Sequence, residues 1–154
     1  MTKSVVSIVK GKDPDEMVAE ALDHLGGVKS LIRPGSTVVV KPNAGHEGAP
    51  DSSVNTSPEV VGAVVRALKK ARPGRIILAE SAAIGCDTMA CLEVSGLKKA
   101  AEEAGVDEII DIKGGVELVK KEIDHPTSTI KHVELPRFLL EADHLVNVPI
   151  FKSH

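Results

Sequence analysis

In the sequence TVVVKPN at residues 37–43, three consecutive valines are followed directly by a lysine, a proline and an asparagine. Two other apolar runs end in a similar way. Residues 76–78 are soon followed by Glu80 and Ser81, and residues 145–151 are followed by a Lys-Ser-His sequence. Short β-branched runs bounded by turn residues are typical of strands that are buried on both faces. The sequence therefore predicts a sheet whose strands end in polar residues.

Helical patterns separate these apolar runs. Aspartate or serine followed by proline begins two apolar stripes, at Asp13-Pro14 and at Ser57-Pro58, as expected for capped helices. Strands that alternate with helices indicate an α/β fold. We predict three layers, with a mainly parallel or mixed central sheet flanked by helices. The predicted helices cover residues 14–25, 28–32, 58–72, 90–92, 97–104 and 136–142. The predicted strands cover residues 4–10, 37–40, 75–79, 108–112 and 144–148, with an antiparallel pair at 116–123 and 129–133 forming a mixed edge.

Size and composition limit the classes of function. The chain has 154 residues, 42% of them hydrophobic, which predicts a single α/β domain over residues 1–154. A net charge of -3 and the absence of Trp and Tyr argue against nucleic acid as a partner. No stretch approaches the roughly 20 apolar residues that span a bilayer, so we predict no membrane partner and a cytoplasmic location.

The polar residues that end the three runs are the candidate ligand-binding residues. The carboxyl ends of parallel strands meet at one edge of a sheet, where open α/β sheets bind small molecules. Lysine can hold a phosphate or a carboxylate, and glutamate can serve as an acid, a base or a metal ligand. We expect the following residues to line one crevice: Lys41, Asn43, Glu80, Ser81, Lys152 and His154.

Each candidate also has a purely structural interpretation. Lys41 could be a surface lysine beside a turn, or a base or Schiff-base nucleophile instead of an anion ligand. Two lysines in one crevice repel each other unless an anion or a carboxylate separates them, so Glu80 could pair with a lysine. His154 could act as a proton donor or as a metal ligand with Glu80, but a solvated histidine is the favoured interpretation.

Two further residue pairs receive a structural interpretation. His46 could join Asp51 in a metal set, but a solvated loop histidine is the favoured interpretation, and we predict no metal site. Cys86 and Cys91 are the only cysteines, and their spacing does not match a CxxC pair, so ordinary reduced thiols are the favoured interpretation. The alternatives are a disulfide, a pair of metal ligands or half of a cluster site. The sequence also lacks the Walker, GxGxxG, HExxH and GxSxG motifs, so classical nucleotide binding and serine hydrolysis have no support.

Four segments, taken in order, resemble the family called domain of unknown function 362. They are VVVKPN at 38–43, TSPEVV at 56–61, IILAES at 76–81 and ADHLVNVPIFKSH at 142–154. The last segment is similar to the family pattern D-x-x-x-N-x-P-x-x-K-x-H, with Asp143, Asn147, Pro149, Lys152 and His154 at its fixed positions. The resemblance adds Asn147 to the candidate ligand-binding residues.

The resemblance implies a cytoplasmic prokaryotic protein with a redox or iron–sulfur association and no defined substrate. Family domains continue beyond the Lys-x-His segment, so we expect the chain to be the N-terminal part of a larger domain. Some members add cysteine clusters of the CxxCxxCxxxC type, which this chain lacks. The cofactor is therefore unknown, and an iron–sulfur cluster is expected only in a C-terminal part that is missing here.

Together these observations predict an uncharacterised α/β protein that binds an anionic small molecule or a metal-bound cofactor at the carboxyl ends of its strands. The sequence does not decide whether it is an enzyme. The alternative is a non-catalytic, redox-associated subunit or fragment whose missing remainder carries an iron–sulfur cluster. A third interpretation is a fragment with an incomplete crevice, covered by self-association or by a C-terminal partner segment.

Overall fold

The capped helices and β-branched runs of the sequence appear as twelve regular elements in a computed structural model that describes residues 4–50 and 52–152. The helices are α1 (Pro14–Asp23), α2 (Val28–Leu31), α3 (Pro58–Lys69), α4 (Thr88–Val94), α5 (Leu97–Ala104) and α6 (Arg137–Glu141). The strands are β1 (Thr37–Pro42), β2 (Arg75–Glu80), β3 (Glu108–Asp111), β4 (Leu118–Glu122), β5 (His132–Pro136) and β6 (His144–Val148).

Four strands form a parallel sheet in the order β3-β2-β1-β6. The register pairs Val40 with Leu78 on one side of β1 and with Val146 on the other. All four strands therefore end at the same edge of the sheet. The predicted α/β fold with a mainly parallel sheet flanked by helices is confirmed.

The two faces of the sheet carry separate cores. Val38 and Val40 are fully buried against helices α3, α4 and α5, in the larger core. Val39, one residue out of phase, is fully buried in a smaller core with Ile77 and Phe138 on the opposite face. Successive side chains of a strand point to opposite faces, so a run of three buried valines requires cover on both sides.

The predicted mixed edge is wrong. β4 and β5 do pair in antiparallel fashion, but they form a separate two-stranded sheet that does not join the parallel one. The predicted antiparallel pair was therefore correct and its placement was not. Most residues of these two strands are exposed. Their hydrophobic pattern therefore could not indicate whether they join the parallel sheet.

The predicted first strand at residues 4–10 is also wrong. The segment has no regular secondary structure, and Val5, Val6 and Ile8 are 69%, 80% and 90% exposed. β-Branched residues favour strands because they pack well on a paired, half-buried sheet surface. This segment pairs with no strand of the described chain, so it has no such surface to pack on. The apolar composition alone does not produce a strand.

Candidate functional site

A cleft of about 330 Å³ opens where β1 and β2 end. The loop after β1 and the loop after β2 form its walls, and a hydrogen bond from the Ala83 amide to the Gly45 carbonyl (3.0 Å) ties these loops together. The polar residues that line the cleft are Lys41, Asn43, His46, Glu80, Ser81 and Lys152. The structure thus brings together five of the predicted residues at the predicted edge of the sheet, while their role in binding stays a prediction.

Lys41 and Glu80 form an ion pair at the base of the cleft. The Lys41 Nζ lies 3.0 Å from both carboxylate oxygens of Glu80. The Glu80 side chain is 4% exposed and the Lys41 side chain 32%. The backbone amides of Ser81 (2.7 Å) and Ala44 (3.4 Å) donate to the same carboxylate. The Glu80 carboxylate therefore accepts from one ammonium group and two backbone amides, and its charge offsets that of Lys41.

Asn43 and Thr56 join three elements at this edge. The Asn43 amide donates to the Thr56 hydroxyl (2.8 Å), which itself donates to the Val148 carbonyl (2.7 Å). The Asn43 side-chain oxygen accepts from the Ile150 amide (3.1 Å). These bonds fasten the ends of β1 and β6 to the start of α3, where Ser57 is the capping residue. Asn43 therefore serves the architecture of the site as well as lining it.

Lys152 and Ser81 stand at the open part of the cleft. The Lys152 Nζ donates to the Val54 carbonyl (2.7 Å), which is a neutral acceptor. The Lys152 side chain is exposed, and Ser81 is half-buried. The predicted contribution of His154, like that of Asp51, lies outside the described residues.

Asn147 is not among the residues that line the cleft. It is exposed on the edge strand β6, where the register pairs it with Lys41. Paired residues of neighbouring parallel strands lie on the same face of the sheet, so Asn147 and Lys41 share a face. The structure thus places Asn147 beside a cleft residue, and its role in binding stays a prediction.

Asp143, the first residue of the same pattern, lies at the opposite end of β6 from the cleft. Its carboxylate accepts hydrogen bonds from the Thr37 amide (2.9 Å) and from Arg33 (2.6 Å). The Thr37 amide first, and then the charge of Arg33, hold the pKa of Asp143 below its ordinary value. Asp143 therefore anchors the start of β6 to the start of β1.

Sequence reasoning missed one contact at the rim of the cleft. The Cys86 Sγ lies 3.5 Å from the His46 Nδ1, although forty residues separate them in the chain. Cys86 is half-buried and His46 is exposed, whereas Cys91 is fully buried and its burial raises the pKa of its thiol. No sequence motif links His46 with Cys86. The one sequence feature that could have indicated their contact is that each residue follows one of two predicted parallel strands.

A larger surface cavity of about 410 Å³ lies between α1, α3 and α5. Its main charged groups are already paired, since Arg66 donates to both carboxylate oxygens of Asp15 (2.8 and 2.7 Å). This pairing raises the pKa of Arg66 and lowers that of Asp15. Among residues 4–50 and 52–152, no group of three or more His, Cys, Asp or Glu side chains is placed to hold a metal. The cleft at the strand ends is therefore the stronger candidate site.

The fold and the cleft define a parallel α/β domain with its candidate site at the carboxyl ends of the strands. The chain belongs to the family described as domain of unknown function (DUF362), which matches residues 38–154 and so includes Lys41, Glu80 and Lys152. The resemblance drawn from the four segments is thereby confirmed. The family description assigns no activity.

A curated relative is a thylakoid-associated protein of Synechocystis sp., 28% identical over 133 residues. The match covers 86% of this chain and 39% of the relative, so the chain spans about two fifths of that protein's length. No solved structure matches the chain. In the described part of the chain, no helix is long and apolar enough to cross a membrane. The cytoplasmic location stays a prediction.

Proposed function

We propose that the cleft binds a small anion that carries phosphate or carboxylate groups, with Lys152 as the principal cation. The supporting observation is the charge balance of the described lining residues: two ammonium groups face one carboxylate, and Lys41 already holds that carboxylate. Among these described residues, the positive charge of Lys152 is the one left for a ligand. A bound anion would complete this balance.

The dimensions and the other lining groups agree with this proposal. A volume of about 330 Å³ is at the lower end of the range for small-molecule sites. Ser81 is half-buried beside the ion pair, and its hydroxyl can donate to an anion oxygen. The Lys41 side chain is partly exposed, but its ammonium already donates to both Glu80 oxygens and to the Pro42 carbonyl (3.2 Å), which leaves the direct contacts with the ligand to Lys152 and Ser81.

The described residues do not fit a metal cluster. The chain has two cysteines, and Cys91 is fully buried in the larger core. The proposal therefore concerns an anion held directly by side chains, and the metal-bound cofactor of the sequence-based hypothesis has less support. The alternative of a redox-associated subunit with a cluster in a further segment stays a prediction.

Isothermal titration with pyrophosphate and with citrate at low ionic strength tests the proposal, because exposed charges are screened least under those conditions. The informative variant is K152M. K131M is a matched control, since Lys131 is also exposed and its Nζ also donates to a backbone carbonyl, that of Ser128 (3.0 Å).

We expect K152M to weaken binding of at least one of these anions roughly tenfold, about 1.4 kcal/mol, and K131M to leave it unchanged. A charge-assisted hydrogen bond lost at a partly open site accounts for that magnitude. Equal affinities of wild type and K152M, or no binding of either anion by the wild type, would overturn the proposal.

A further inference from the structure

Two loops hold a thiol and an imidazole together at the rim of the cleft. His46 belongs to the loop after β1, and Cys86 to the loop after β2. Their Nδ1 and Sγ atoms are 3.5 Å apart. The hydrogen bond between the Ala83 amide and the Gly45 carbonyl lies one residue before His46 and three before Cys86, so the backbone itself sets this approach.

A third loop fixes the cysteine from the other side. Lys113, which follows β3, donates from its Nζ to the Cys86 carbonyl (2.7 Å) and to the Ala83 carbonyl (3.3 Å). The Cys86 amide also donates to the Ala83 carbonyl (3.0 Å), which closes a tight turn. The cysteine is thus held by backbone and side-chain bonds, with an ammonium group bound to its own carbonyl.

We propose that Cys86 is a reactive thiol, activated by His46, which takes low-molecular-weight disulfides in thiol–disulfide exchange. A nucleophile and a base within contact distance, at a partly exposed site with a nearby cation, are the features that distinguish reactive from structural cysteines. This inference is independent of anion binding, because it requires neither Lys152 nor Lys41.

The proposed exchange joins one sulfur of the disulfide to Cys86 and releases the other as a thiol. The Cys86 thiol gives its proton to the His46 Nδ1, and the resulting thiolate attacks one sulfur of the disulfide. The disulfide bond breaks as the new bond to Cys86 forms, so Cys86 is oxidised and the departing sulfur is reduced. The departing thiolate then takes the proton from the imidazolium and leaves as a thiol.

The second cysteine provides an internal contrast. Cys91 is fully buried within the larger core, and its burial, followed by the neighbouring Cys86, raises the pKa of its thiol. Both properties protect it, because the thiolate is the attacking species and the disulfide must reach it. The same chain therefore contains one thiol predicted to react and one predicted to remain inert.

The test measures the reaction of the full chain with dipyridyl disulfide at pH 6.5, followed by the absorbance of the released pyridinethione. The C91S background leaves Cys86 as the only thiol. The decisive variant is H46Q, which keeps a side chain of similar polarity and removes the base. H125Q is the matched control, because His125 is also exposed and contacts Thr127 (3.0 Å) in the separate hairpin.

An ordinary cysteine is about one per cent thiolate at pH 6.5, so a base in contact with the thiol that takes its proton during the attack increases the rate of exchange. We therefore expect Cys86 to react roughly fivefold or more faster than the cysteine of an unstructured peptide. H46Q should react no faster than the peptide, whereas H125Q should keep the higher rate. The intact mass of the product should show one added pyridylthio group that a reductant removes.

Two results would overturn the inference. The first is a wild-type rate no higher than that of the unstructured peptide. The second is an H46Q rate equal to that of H125Q, which would show that the imidazole does not act on the thiol. The melting temperatures of H46Q and H125Q serve as a control for folding. If they are equal, a slower reaction of H46Q reflects chemistry at Cys86 and not loss of the fold.

Discussion

Replacing Lys41 with methionine should destabilise the protein far more than an ordinary lysine substitution does. Methionine keeps much of the length and volume of the lysine stem and removes the ammonium group. The Glu80 carboxylate then stays buried, at 4% side-chain exposure, with only the backbone amides of Ser81 and Ala44 as partners. A buried charge that loses its opposite charge is costly because water cannot replace the partner.

The magnitude follows from the burial of each partner. Removing one member of a buried ion pair costs about 3–5 kcal/mol. The Lys41 side chain is 32% exposed, which places the expected loss in the unfolding free energy at the lower end, about 3 kcal/mol. For a domain of this size that loss corresponds to a fall in melting temperature of about 6–12 °C. Urea denaturation and thermal melting measure the two quantities.

A double-mutant cycle with E80Q separates the pair from other effects of the substitution. We expect K41M and E80Q to be coupled by about 2 kcal/mol. The pair formed by Lys120 and Glu122 is the matched control, because its N–O distance is also 3.0 Å but its side chains are 55% and 69% exposed. Its coupling should stay below about 1 kcal/mol. Effects of K41M and E80Q that add within about 0.5 kcal/mol would show that the two side chains are not coupled and would contradict this prediction.

Two further substitutions test the anchors of β6. T56V removes the hydroxyl that joins the Asn43 amide to the Val148 carbonyl, and it should lower the unfolding free energy by about 2 kcal/mol in urea denaturation. A change below about 0.5 kcal/mol would show that these bonds contribute little. D143N tests the carboxylate whose pKa the Thr37 amide holds below the ordinary 3.8. Because the pKa of Asp143 is lower in the folded state, its ionised carboxylate stabilises the fold above about pH 4, and this contribution is lost as the pH falls through the folded-state pKa. The unfolding free energy should therefore fall less steeply below about pH 4 in D143N than in wild type. Parallel curves of unfolding free energy against pH would contradict this.

The sequence predicts the fold best at strands whose burial on both faces requires a continuous run of apolar residues. Val38, Val39 and Val40 are fully buried because both faces of β1 are covered, and no exposed strand could retain such a run. The prediction failed for residues 4–10, which have a similar apolar composition. Composition is local, whereas a strand requires a partner with free backbone groups, and the sequence contains no direct signal for which strands pair.

The candidate site could be predicted in outline but not in its charge balance. Parallel strands must end at one edge, so the convergence of Lys41, Glu80 and Lys152 follows from the fold class. Their pairing does not follow. The alternation of side chains puts Lys41 on the face of Val39 and Glu80 on the opposite face. The two meet because Glu80 ends its strand and accepts from the very next amide, that of Ser81, while Lys41 is long enough to reach it.

That pairing changes which lysine decides the function. From the sequence, Lys41 and Lys152 are equivalent candidates for holding an anion, and their mutual repulsion is an argument for a ligand. In the structure Glu80 already offsets the charge of Lys41, so a K41M variant would confuse loss of binding with loss of stability. Within residues 4–50 and 52–152, Lys152 donates to the neutral Val54 carbonyl and to no carboxylate, and its replacement leaves the buried pair intact. Substitution of Lys152 therefore tests anion binding, and substitution of Lys41 tests stability. The lysine at the open part of the cleft is proposed to hold the ligand, whereas the lysine at its base offsets the charge of the buried Glu80.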